Sequence, residues 1–150
     1  MTTIAHATIV MERTYMASPA RVFAAWESVE ARQRWSAPAD TIRIVYERAE
    51  FFEGGADVSR CIEPGNQDYV ATVNYLDIKP DQRIVFAESV VHGDKRVSAA
   101  LISVELTPTG AATRLSLTMQ IASFDEAGME AGYQFGWSAA LDNLGKEFAQ

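Results

Sequence analysis

The sequence predicts an α+β fold, a curved antiparallel β-sheet wrapped around a long C-terminal helix, with two short helices after the first strand. Three observations predict it. Residues 129–148 repeat apolar side chains at helical spacing. Between Thr41 and Ile121 about six segments alternate with a period of two, joined by short turns, which implies antiparallel pairing. A meander of that kind exposes an apolar face, and only the final helix is long enough to cover it.

The elements follow in order. Residues 7–16 are rich in β-branched and aromatic types and read as a first strand. Ser18 is a good N-cap and Pro19 sits at the first helical position, where its missing N–H costs nothing. The helix 19–26 places Val22, Phe23 and Trp26 on one side, and a second, 29–35, ends before Ser36-Ala37-Pro38. Neither is long enough to stand alone, so both must dock on something larger. From Thr41, Ile42, Ile44 and Tyr46 alternate with Arg43 and Glu47 until Gly54-Gly55 breaks the run. Strands 56–62, 69–78, 84–92, 97–107 and 113–121 follow, separated by turns such as Pro64-Gly65-Asn66 and Pro108-Thr109-Gly110.

On the last helix, Met129, Tyr133, Trp137, Ala140, Leu141, Leu144 and Phe148 share one face. Beside them runs a row of small residues, Gly132, Gly136, Ala139 and Asn143. Each glycine costs about 1 kcal/mol relative to alanine in a helix interior. Close packing of helix on sheet explains such a row, and so does room left for something else.

Composition narrows the function. The chain of 150 residues carries a net charge of -7, which argues against nucleic acid and against anionic membrane surfaces as partners. One cysteine, Cys61, excludes an intramolecular disulfide, and His6 and His92 alone make no metal-ligand cluster. The first residues have neither a basic nor an apolar signal region, and no apolar run approaches membrane-spanning length. The expectation is one cytoplasmic domain spanning residues 1–150, with no cofactor and no metal.

Polar residues within apolar strands mark candidate sites, because burying them unpaired costs roughly 1–3 kcal/mol. Glu88 and His92 share a face with Ile84, Phe86 and Val90, and Arg60 shares one with Val58 and Ile62. If those faces line a cavity, Arg60 and Glu88 form a polar anchor at its floor; otherwise they pair in solvent, where such pairs are worth little. Trp35, Tyr75 and Tyr133 are aromatic with a polar tip and serve equally as core or ligand platform. With Phe86, Met119, Gly136 and Trp137 they complete the candidate ligand-binding set. His92 stands at a strand end beside Gly93-Asp94, a place where histidines are usually solvated. No nucleophile–base pairing or phosphate loop is visible, so no residue is assigned a catalytic role.

Residues 10–26, Glu30 to Trp35 followed by Pro38, and Phe52-Glu53-Gly54-Gly55 together resemble one family. The hairpin running from Asn74 through Pro80 to Arg83-Ile84-Val85-Phe86, the strand Thr113 to Thr118, and Gly136-Trp137 with Leu141 and Leu144 extend the likeness over nearly the whole chain. The family is the activator of Hsp90 ATPase homologue branch of the START-related (SRPBCC, Bet v 1-like) helix-grip superfamily. Members often carry a second tryptophan and a glycine after the residue matching Trp35, where this chain has Ser36 and Ala37. The resemblance implies a cavity between sheet and C-terminal helix, and a first reading as a binder of a small, largely apolar ligand, with a stress-related role. Alternatives are a polyketide cyclase-like or other enzyme acting on an aromatic or hydrophobic substrate, and a chaperone-interaction module. The partner expected is a small apolar or aromatic molecule; a homodimer and a chaperone partner stay open.

Overall fold

The computed structural model describes residues 3–124 and 128–149. Strand β1 (Ala5–Tyr15) leads into helices α1 (Pro19–Glu27) and α2 (Val29–Trp35). Six strands follow: β2 (Arg43–Ala49), β3 (Ala56–Ile62), β4 (Tyr69–Lys79), β5 (Arg83–His92), β6 (Lys95–Thr109) and β7 (Ala112–Ser123). Helix α3 (Met129–Lys146) comes last. The seven strands form one open antiparallel sheet in the order β1-β7-β6-β5-β4-β3-β2. This is the helix-grip arrangement, with the two short helices in the crossover from β1 to the far edge.

Ser18 caps α1 by accepting from the Arg21 N–H at 3.2 Å. Ser28 then serves two helices. Its backbone N–H donates to Ala24 O at 3.0 Å, closing α1, and its Oγ accepts from the Ala31 N–H at 3.1 Å, opening α2. A single residue between the helices forces a sharp bend. That bend turns Ala31, Arg32 and Trp35 inward beside Trp26, where the Trp26 and Trp35 rings meet at 4.8 Å.

The sheet buries Ile84, Ile102, Leu115, Leu117 and Met119 on its inner face, and α3 covers them with Tyr133, Ala140, Leu141 and Leu144. Each fully buried side chain of this size contributes about 1.5–3 kcal/mol. Tyr15 pins the helix by donating its hydroxyl to Leu141 O at 2.7 Å. Helix α3 packs mainly on β1, β7 and α2, and toward β3–β5 its N-terminal half stands off the sheet.

Two expectations about α3 resolve here. A Cβ built at Gly132 or Gly136 meets nothing within 4 Å, so close packing is not the reason for the small row. Trp137, on the apolar face of α3 and in the candidate ligand-binding set, is only partly buried and stacks on Trp26 at 5.8 Å and 11°. Anchoring falls to Leu141 and Leu144, one and two turns further along, and to Phe148 just past the end of the helix.

Because the added methyl meets no neighbour, Gly136→Ala should raise stability by up to about 1 kcal/mol through helix propensity. Thermal unfolding followed by circular dichroism measures this. A lowered midpoint would show that the space beside Gly136 is not free.

Candidate functional site

Between α3 and strands β2–β5 lies a cavity of two joined chambers. The outer one, about 220 Å³, runs under the glycine row and is walled by Ile44, Ala71, Val90, Met129, Trp137 and Ala140. The inner one, about 130 Å³, reaches toward α1 and α2 between Trp26, Trp35, Val73 and Phe86. Ser36, Ile44, Ser59, Glu88 and Trp137 border both. A shallower concavity of about 640 Å³ lies on the opposite, outer face of the sheet, over Ala87, Ala99, Leu101 and Gln120. It has small walls and no convergent buried polar groups, whereas the inner cavity has both polar anchors and aromatic walls.

The first anchor is Glu88. It projects from the middle of β5 into an apolar surround, and burial pushes its carboxyl up from 4.5 to about 7, with the neighbouring Tyr133 hydroxyl offsetting part of the effect. Tyr133 shares a hydrogen bond with Ser98 Oγ at 3.0 Å, and burial holds its phenol well above the usual range. Glu88, Tyr133 and Ser98 thus tie β5, α3 and β6 together at one polar point.

The second anchor is a buried cluster at the inner end. Arg32 Nη1 donates to Asp57 Oδ2 at 3.1 Å and to the Tyr75 hydroxyl at 2.8 Å, and that hydroxyl donates to Asp57 Oδ2. Arg32 also stacks over the Tyr46 ring at 4.9 Å and the Phe51 ring at 5.6 Å. Asp57 Oδ1 accepts from the Glu50 N–H at 3.0 Å. The loop before β3 sets this up. Gly54 donates to Tyr75 O at 2.9 Å, Tyr75 N–H donates to Gly55 O at 3.0 Å, and a side chain at Gly55 would collide with the Glu50 carbonyl. The double glycine therefore locks β3 against β4 at the level of Asp57 and Tyr75. Burial raises the Tyr46 phenol above its ordinary value and holds the Tyr75 phenol far above it.

Of the residues singled out in the sequence, Trp35, Tyr75 and Phe86 line the inner chamber, and Tyr133 and Gly136 the outer one. Glu88 and Trp137 line both. Arg60 lies elsewhere. It pairs with Glu47 at 3.2 Å and Asp68 at 3.3 Å at the half-exposed surface, because Asp57, Ser59 and Cys61 are the inward residues of β3. Met119 is fully buried in the packed core under α3 and reaches neither chamber. His92 stacks on Tyr69 at 4.0 Å at the cavity rim. Cys61 faces the outer chamber, and burial raises its thiol. Among the described residues no group of three or more His, Cys, Asp or Glu side chains is placed to hold a metal ion.

Sequence reasoning missed Arg32, Asp57, Tyr46 and Trp26. For Arg32 a signal existed: it stands one turn before Trp35, on the same face of α2 as an aromatic that had to be buried.

The family model for activator of Hsp90 ATPase homolog 1-like proteins matches residues 16–149. The chain belongs to that family. Its fold is that of the SRPBCC, Bet v 1-like superfamily. The Mll3558 protein from Rhizobium loti is 37% identical, with a TM-score of 0.86 over 97% of this chain and 99% of that one. An uncharacterized protein from Rhizobium leguminosarum is 28% identical, with a TM-score of 0.89 over 99% and 97%. A family member from Silicibacter pomeroyi, at 21% identity and a TM-score of 0.77 over 94% and 96%, shares the fold. No curated protein matches the chain significantly. No helix among the described residues is long and apolar enough to cross a membrane.

Two predictions come from the anchors. In the unfolded chain Glu88 releases its proton near 4.5, and in the folded protein near 7. Between those values the folded state binds more protons, so this group's contribution to stability falls as pH rises and the loss is complete above about pH 7. Glu88→Gln should therefore exceed the wild type by roughly 1–3 kcal/mol at about pH 8 and match it near pH 4.5, read by urea unfolding at both pH values. Equal stabilities at the higher pH would contradict the burial of the charge. The Arg32–Asp57 pair, each side chain 5% exposed, predicts the opposite response to truncation. Asp57→Ala strands the guanidinium and should cost about 3–5 kcal/mol in the same assay.

Proposed function

We propose that this protein binds a small, largely apolar molecule in the two-chambered cavity beneath α3. The observation that carries the reading is the outer chamber itself. Apolar side chains wall it, and two of the α3 positions that face it, Gly132 and Gly136, are glycines with nothing against them. Open space over Gly132 and Gly136 sacrifices helix propensity, about 1 kcal/mol at each position, for volume. Aromatic walls at Trp26, Trp35, Trp137, Tyr75 and Phe86 favour a flat, ring-bearing molecule. The resemblance of the family to hydrophobic-ligand binders supports the same reading.

Glu88 supports a second reading, an enzyme acting on an aromatic or hydrophobic substrate. A carboxyl that titrates near neutrality is matched to proton transfer at physiological pH. Native mass spectrometry of freshly purified protein separates the two. A bound mass that is unchanged after long incubation favours a binder, and conversion to a new mass favours turnover.

The binding reading predicts a steric effect at the helix. Gly136→Leu should fill the outer chamber and weaken the apolar fluorophore N-phenyl-1-naphthylamine by about tenfold or more, while leaving the circular dichroism spectrum unchanged. An unaltered affinity in a folded Gly136→Leu variant would remove the chamber from consideration as the site.

A further inference from the structure

Two buried donors beside the inner chamber are left unused by the fold. Arg32 Nε–H and Trp26 Nε1–H find no acceptor among the described residues, although the two side chains are only 4% and 3% exposed. The neighbouring indole shows the contrast, since Trp35 donates its Nε1–H to Ala25 O at 3.0 Å. Arg32 Nη1 is fully engaged with Asp57 and Tyr75, so the guanidinium is held firmly while its Nε–H stays free. A buried donor without a partner forfeits its hydration and receives nothing in return. Both side chains border the same chamber of about 130 Å³.

We infer that the inner chamber receives a neutral hydrogen-bond acceptor, a ketone, quinone or ester carbonyl on an aromatic or alicyclic skeleton, with its oxygen on Arg32 Nε–H and Trp26 Nε1–H. This rests on the reading of the cavity as a ligand site and specifies which end of the ligand enters first. Charge selects the acceptor. Among the described residues Arg32 is the one cation bordering the inner chamber, and Asp57 already neutralises it; Glu88 borders the chamber as well. An incoming carboxylate would lose its hydration, meet two acidic groups and gain no free positive charge. A carbonyl carries no net charge to repel and can accept two N–H bonds at once. Volume selects the size. The chamber is close to the roughly 150 Å³ of a cavity that accommodates benzene, so one ring and its oxygen fill it and further skeleton extends past Glu88 and Trp137 into the outer chamber.

The test uses 1-indanone and indane, two probes of nearly equal shape that differ in one carbonyl, titrated into the full ¹⁵N-labelled chain by NMR. Both should bind, with 1-indanone tighter by about tenfold. The Trp26 indole and Arg32 Nε–H resonances should move downfield with 1-indanone and stay in place with indane, while the Trp35 indole moves with neither. Trp26→Phe assigns the indole resonance and should narrow the affinity ratio to about twofold. If that variant does not fold, the wild-type resonances and affinities still decide. Equal binding of the two probes, or tighter 1-indanone binding with both N–H resonances unmoved, overturns the acceptor inference and leaves the apolar cavity standing. Failure of both probes to bind overturns the ligand-site reading and this inference with it.

Discussion

A guanidinium held in the interior by one carboxylate and one phenol is what the far end of the cavity is built on. Arg32 comes from α2, Asp57 from β3 and Tyr75 from β4, so the cluster ties the crossover helices to the half of the sheet that α3 does not pack against. Removing any one member takes a partner from each of the other two in a low-dielectric surround. The neighbouring structure converges on the same point. Ser28 sets the bend that turns Arg32 inward, and the Gly54-Gly55 loop fastens β3 to β4 where Asp57 and Tyr75 stand. The aromatic rings of Tyr46 and Phe51 cover the guanidinium plane.

Helix α3 divides the interior into two physical regimes. Its C-terminal half is close-packed, with Leu141 and Leu144 fully buried and Tyr15 bonded to its backbone. Its N-terminal half spans a gap, with Gly132 and Gly136 facing space and Tyr133 reaching across to Ser98 and Glu88. The packed half supplies the stability that lets the other half remain open, since an unfilled cavity costs dispersion energy along its whole lining. This is why Met119, on the packed side, is core, while Phe86, two strands away in the sheet order, borders the cavity.

The polar groups in the cavity are arranged with unequal needs. Glu88 is an acid made weak by its apolar surround, able to donate or accept a proton near neutral pH. Arg32 and Asp57 neutralise one another, so that pair presents hydrogen-bond directionality without net charge. For the ligand proposed above, such a lining would discriminate by where its oxygen sits and by its charge state, while the aromatic and aliphatic walls would supply most of the affinity.

Local pattern by itself determined the order of elements. Ser18-Pro19 and Ser28 mark helix starts through backbone donors that any chain must satisfy, and periods of two and 3.6 separate strands from helices because they are properties of the local backbone. The face of α3 was legible for the same reason, as were Glu88 and Tyr133, polar tips on otherwise apolar faces. Strand β3 was not legible. Its apolar residues Val58 and Ile62 point with Arg60 away from the cavity, and the more polar set Asp57, Ser59 and Cys61 faces inward. The usual rule that the apolar face is the inner face holds where a strand meets packed side chains. It fails where the strand meets a cavity and a buried ion pair. Whether Gly132 and Gly136 meant close packing or open space, and whether Trp137 was anchor or wall, depended on how far the helix stands from the sheet. That distance is set by side chains more than a turn away on α3 and by residues from α2, β3 and β4, so only the tertiary structure decided it.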